Sequence, residues 1–136
     1  SKRCLTFTNS LDRTAMIKAS KYLIGEHDFS SFRSSSCQSN NPNRNVTEIK
    51  IIKRGHFISL KITANAFLQN MVRIMVGTLL NVGEGSIKYK EVKDILASKD
   101  RIYAGKTAKA EGLYFIGPVY EAKYNIPAIK TDLFKI

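Results

Sequence analysis

Cysteine is scarce in this chain: Cys4 and Cys37 are the only two in 136 residues. With His27 and His56 they show none of the short spacings of a zinc site, so no metal is expected. No secretory signal is read ahead of them, which makes reduced thiols in the cytoplasm the expectation. There is no glycine-rich phosphate loop, no internal repeat and no polybasic tail; basic residues are spread from Lys2 to Lys135. Acidic residues are few as well. Against 22 Lys plus Arg stand 11 Asp plus Glu, giving a net charge of +11 and a pI near 9.8. Such an excess makes nucleic acid the leading partner class, with a basic surface lacking any specific partner as the alternative. At 43% hydrophobic residues the chain suits a single domain, long enough for a real core.

Charge is nearly missing from one long stretch. Across the 22 residues 62–83, ITANAFLQNMVRIMVGTLLNVG, Arg73 is the only ionised side chain. A charge among Phe67, Leu68, Met71, Val72, Ile74 and Met75 is costly unless it is paired or faces a cavity. At about 100° per residue of helix, Asn70, Arg73, Gly77 and Asn81 share one narrow sector. Gly77 would leave room beside the arginine for a ligand or partner carboxylate. Two plainer readings compete: a membrane span, and a core helix whose arginine snorkels to the surface. The polar Asn65, Gln69, Asn70, Thr78 and Asn81 argue against the membrane.

The rest of the chain reads as regular elements. Residues 3–8 suggest a short strand. A helix over 11–24, capped by Asn9 or Ser10, would end at Gly25. Residues 30–45 are polar and broken by Pro42; a loop of that length is usually functional or mobile. Residues 46–54 and 57–64 alternate with period two and form a hairpin around Gly55 and His56, burying Ile58, Leu60 and Ile62. Helices over 66–82 and 89–98 follow, then a strand over 113–121. The order β-α-β-β-α-α-β is, apart from one extra helix, a split βαβ pattern. That is an α+β fold, an antiparallel sheet with helices packed on one face. An RNA recognition motif would place aromatics on adjacent central strands, and here only Phe7 and Phe57 are available.

Two longer segments are more specific. AFLQNMVRIMVGTLLNVGEG and ASKDRIYAGKTAKAEGLYF, preceded in order by GEHDFSSF and PNRNV, closely resemble the C-terminal half of the tRNA pseudouridine synthase A (TruA) family. The resemblance runs from the LDRTAM helix to the GLYF strand. It implies conversion of uridine to pseudouridine at positions 38, 39 and 40 in the anticodon arm of tRNA, without metal or organic cofactor. It further implies a homodimer with tRNA lying across both subunits. The family's nucleophile is an aspartate in an Arg-Thr-Asp motif of its N-terminal half. Asp12-Arg13-Thr14 has the same letters in the wrong order and is rejected as a substitute. The expectation is therefore a C-terminal domain, residues 1–136, that lacks the nucleophile and is inactive alone. The alternative is a non-catalytic RNA-binding or dimerisation module.

By the same resemblance Arg73 matches the arginine that pairs with the catalytic aspartate. Leu113 matches the aliphatic residue that packs against the target base, and Phe115 stands where the family often has leucine. A flipped base needs an apolar floor, and a buried carboxylate needs a fixed cation to stay ionised. Arg33, Arg44, Arg101 and Lys109 are candidate tRNA contacts. For Arg33 and Arg44 the alternative is incidental loop charge; for Arg101 it is an ion pair with Asp100. Thr107 and Lys109 lead towards the pocket strand. His27, Asp28 and Phe29 fit the family's pattern, with local hydrogen bonding and packing as the expected role.

Overall fold

The computed structural model describes residues 11–37, 39–55, 57–116 and 121–127. The expected strand at 3–8 and the caps Asn9 and Ser10 lie outside them, as do Cys4 and His56. The elements are α1 (Arg13–Lys21), β1 (Gly25–Asp28), β2 (Asn43–Arg54), β3 (Phe57–Ala64), α2 (Met71–Glu84), α3 (Glu91–Ser98), β4 (Leu113–Ile116) and β5 (Glu121–Pro127). One-turn 3-10 helices occupy Ser30–Phe32 and Arg101–Tyr103. The five strands form one antiparallel sheet in the order β1-β2-β3-β5-β4.

The predicted hairpin is present, and its alternation sets the two faces of the sheet. Ile58, Leu60, Ile62 and Ala64 of β3 are buried in one cluster with Met16 and Ala19 of α1, Met75 and Leu79 of α2, and Val92 of α3. The opposite face is polar: Lys61 pairs with Glu121 at 3.5 Å, and Ser59 donates to Asn125 Oδ1 at 2.5 Å. Burial of each large side chain contributes about 1.5–3 kcal/mol, so the helix-covered face dominates stability. Arg13 joins the layers by donating from Nε and Nη2 to the Ile51 carbonyl, at 3.1 and 2.8 Å.

Four boundaries differ from the sequence reading. The first helix is capped by Asp12, whose side chain accepts from the Ala15 N–H, and it is shorter than expected. The end of the polar stretch 30–45 is strand, since β2 starts at Asn43 rather than Val46 and pairs there with β1, which the residue pattern did not signal, Gly25 opposite Val46 and Asp28 opposite Asn43. The apolar helix begins at Met71, because Asn70 takes the left-handed conformation (φ 61°) and breaks the helical path. Phe67 and Leu68 therefore pack from a loop. The final strand is two, β4 and β5, paired with each other. At 14 residues α2 spans about 21 Å at 1.5 Å per residue, short of a bilayer core. Among the described residues no helix is long and apolar enough to cross a membrane.

Candidate active site

The polar and small-residue stripe of α2 is filled by the chain itself. A strap of residues 104–109 runs along it towards the sheet, and the fit is made by the lack of side chains at two points. A Cβ on Gly77 would stand 1.7 Å from the Lys106 carbonyl oxygen. One on Gly105 would stand 2.6 Å from Asn81 Oδ1 and 2.8 Å from Thr78 Cα. The room expected beside the arginine is thus occupied by backbone, and no ligand approaches at Gly77. Thr78, fully buried, accepts the Gly105 N–H at 2.8 Å while donating to the Ile74 carbonyl at 2.9 Å.

Arg73 sits at the N-terminal end of this stripe, half-buried. Its Nε donates to the Ala108 carbonyl at 2.7 Å, and the Ala108 N–H donates back to the Arg73 carbonyl at 3.1 Å. Its Nη1 reaches Asn70 Oδ1 at 3.3 Å. Among the described residues its Nη2 meets no acceptor and no carboxylate pairs with it; the ion pairs there are Lys50–Glu48 and Lys61–Glu121. The guanidinium is aimed by neutral acceptors, with its charge left uncompensated.

The strap also reaches the sheet. Buried Tyr124 of β5 donates its hydroxyl to the Lys109 carbonyl at 2.6 Å. Its pKa is raised by burial and by the charge of Glu111, while Arg73 pulls it down. Tyr124 is the register partner of Leu113 on β4, so Leu113 shares its face of the sheet. Leu113 is half-buried against the core. Strap, tyrosine and strand thereby tie the neighbourhoods of Arg73 and Leu113 together. The surface grooves on α1 and α3 include neither residue.

The remaining candidates fold onto their own loops. Arg33 Nη1 donates to the Ser39 carbonyl at 2.9 Å. Arg44 Nη1 donates to the carbonyls of Asn41 and Asn43, both at 2.7 Å. Arg101 braces the strap through the Thr107 hydroxyl at 3.2 Å and the Ala104 carbonyl at 3.4 Å. It makes no ion pair with Asp100, which instead accepts the Ile102 N–H at 3.1 Å. Lys109 is half-buried beside Ala108. His27 Nε2 bonds the Ile24 carbonyl at 2.8 Å and its ring meets Phe29 edge-on at 5.7 Å. Asp28 accepts the Ser30 N–H and hydroxyl at 2.9 and 2.5 Å. Burial works against that carboxylate, yet these bonds with Lys99 and Arg33 bring its pKa below the usual value. Both residues therefore serve the β1 turn. Residue reading missed Thr78, Ala108 and Tyr124, because a backbone strap and a core tyrosine carry no motif of their own. The paired Gly77 and Gly105 were the available signal.

Residues 19–121 match the family described as tRNA pseudouridine synthase. The chain belongs to the tRNA pseudouridine synthase family. Arg73, the strap and Leu113 all lie within the matched stretch. The chain is 50% identical over 119 residues to tRNA pseudouridine synthase A of Francisella tularensis subsp. novicida (strain U112), covering 88% of this chain and 46% of that protein. It is 44% identical over 123 residues to tRNA pseudouridine synthase A of Aliivibrio fischeri (strain MJ11), covering 90% and 47%. This synthase chain thus spans about half the length of the curated relatives it matches.

Proposed function

We propose that the intact protein is a tRNA pseudouridine synthase that isomerises uridine at positions 38–40 of the anticodon arm, working in the cytoplasm as a homodimer. This chain supplies the arginine and the apolar floor of its active site; the nucleophilic aspartate comes from outside the sequence. The observation that carries the reading is Arg73, aimed through Nε by the Ala108 carbonyl and unpaired with any described carboxylate, in a chain of this family.

In the reaction the N1–C1′ bond of uridine breaks, a C5–C1′ bond forms, and the hydrogen of C5 is lost to solvent while N1 gains one. An aspartate attacking the nucleotide must be ionised, and Arg73 holds it so by charge and by its Nη2 donor, which meets no acceptor among the described residues. Leu113 presents an aliphatic surface to the extruded base, whose face loses its stacking partners on leaving the helix. No metal or organic cofactor takes part. The net charge of +11 supports attraction to tRNA phosphates, with Arg33, Arg44, Arg101 and Lys109 as contacts; Arg101 does so only with the donors it does not spend on the strap.

Tritium release from tRNA labelled at uridine C5, with mapping of the modified positions, tests this reading. The intact protein is expected to release tritium from positions 38–40, and the isolated chain none. Release by the isolated chain, or modification confined to other positions, would contradict it.

A further inference from the structure

The sheet's core face runs out from under the helices at β4. Along one row across the sheet lie Ile49, Ile62, Ala122 and Phe115, paired strand to strand. Ile62 and Ala122 are fully buried, but Phe115, on the same face, is 65% exposed. A large aromatic on the apolar face of an edge strand, uncovered to that extent, is not packed as core. Among the described residues its one ring neighbour is Phe67, from the loop before α2, with centroids 6.4 Å apart and planes tilted by 50°. Leu113 lies two residues away on that same face, at a spacing of about 6.7 Å along an extended strand. Basic residues lie on the Leu113 side of this patch: Tyr124, the register partner of Leu113, donates to the Lys109 carbonyl and is close enough to Arg73 to feel its charge.

We propose that Phe115, backed by Phe67, stacks the nucleotide flanking the target uridine. The inference rests on the assignment of Leu113 to the target base. An exposed aromatic surface edged by cations is the combination that holds single-stranded nucleic acid, since every base offers a π-face and every nucleotide a phosphate. The spacing from Leu113 exceeds one base thickness, so a second base fits over Phe115 while the first occupies Leu113. Phe67 limits the tilt of the ring, and the 65% exposure of Phe115 leaves surface for a base. Phe115 is then a positioning residue: it holds the strand open next to the base that reacts.

A double-mutant cycle on the intact enzyme tests this. One partner is Phe115→Ala; the other is an anticodon-arm RNA carrying an abasic nucleotide on the 5′ or the 3′ side of the target. Phe115→Ala is expected to lower kcat/KM by roughly 5- to 150-fold, the range base–aromatic stacking carries. Phe115→Trp should restore it together with the coupling to the flanking base, whereas Phe115→Leu, which installs the residue the family often has here, should restore turnover without that coupling. On one of the two abasic substrates Phe115→Ala should cost nothing further. Losses that multiply independently on both substrates, or coupling of the same size in the Phe115→Leu enzyme, would show that the ring only packs against protein. Arg73→Ala, assayed alongside, separates the two ideas: if it keeps normal turnover the active-site reading fails, whereas absent coupling with an inactive Arg73 variant removes Phe115 alone.

Discussion

Arg73 and Ala108 hold each other by two reciprocal hydrogen bonds, Nε to carbonyl at 2.7 Å and backbone N–H to carbonyl at 3.1 Å. The pair fixes a guanidinium without neutralising it. Three further contacts keep Ala108 in place: Lys106 against Gly77, Gly105 on Thr78, and Lys109 under Tyr124.

Gly77→Ala puts two effects in opposition. Alanine is the better helix former by about 1 kcal/mol. The new Cβ, however, would meet the Lys106 carbonyl at 1.7 Å, and that atom is backbone. Overpacking costs typically 1–3 kcal/mol, so net destabilisation is expected. Turnover should fall with it, because the strap aims Arg73. Urea unfolding of the intact protein checks the sign; a more stable variant would show that the strap yields freely.

Thr78→Val keeps shape and removes the acceptor of the buried Gly105 N–H. Leaving that donor unsatisfied should cost about 1–3 kcal/mol. Thr78→Ser should cost less than half as much. Equal losses for the two would mean that packing of the methyl group, and not the hydrogen bond, matters at this position.

Tyr124 gives a pH signature. Burial raises its folded pKa above the unfolded value of about 10, so folding is favoured by the neutral phenol. That contribution is complete below about pH 10 and is lost as pH rises through the folded value. Tyr124→Phe should lose about 1 kcal/mol at neutral pH with the bond to Lys109, and should lose less additional stability in alkali than the parent. Denaturant midpoints across that range decide it; parallel curves for the two proteins would exclude Tyr124 as the titrating group.

Much of this was legible in the residues, for physical reasons. The β2–β3 hairpin stood out because one wet face forces strict alternation, and Ile58, Leu60 and Ile62 obey it. Arg73 stood out because a lone charge in an apolar run demands an explanation. The start of α2 was not legible: Phe67 and Leu68 continue the apolar pattern, and only the left-handed Asn70 ends the helix. β1 was hidden by polar residues, since an edge strand of four residues needs little apolar character. The stripe of Asn70, Arg73, Gly77 and Asn81 was visible, but its occupant was not. Small residues announce a close approach without saying whether a ligand or the chain's own backbone makes it.

Electrostatic attraction to tRNA should depend steeply on salt. Arg33→Ala and Arg44→Ala should each lower the slope of log affinity against log salt by about one if each neutralises a phosphate. Both guanidiniums spend Nη1 on loop carbonyls, so their other donors must make the contact. Filter binding over a salt series reads the slope, and an unchanged slope for both variants would assign them to loop structure alone.

Tritium release by the full-length Arg73→Ala enzyme is the most direct measurement of the central claim. If Arg73 holds the nucleophile ionised, turnover should be abolished while tRNA affinity changes little, and Arg73→Lys should recover only a small part. Normal turnover by Arg73→Ala, or a loss of affinity large enough to account for the lost activity, would contradict the assignment.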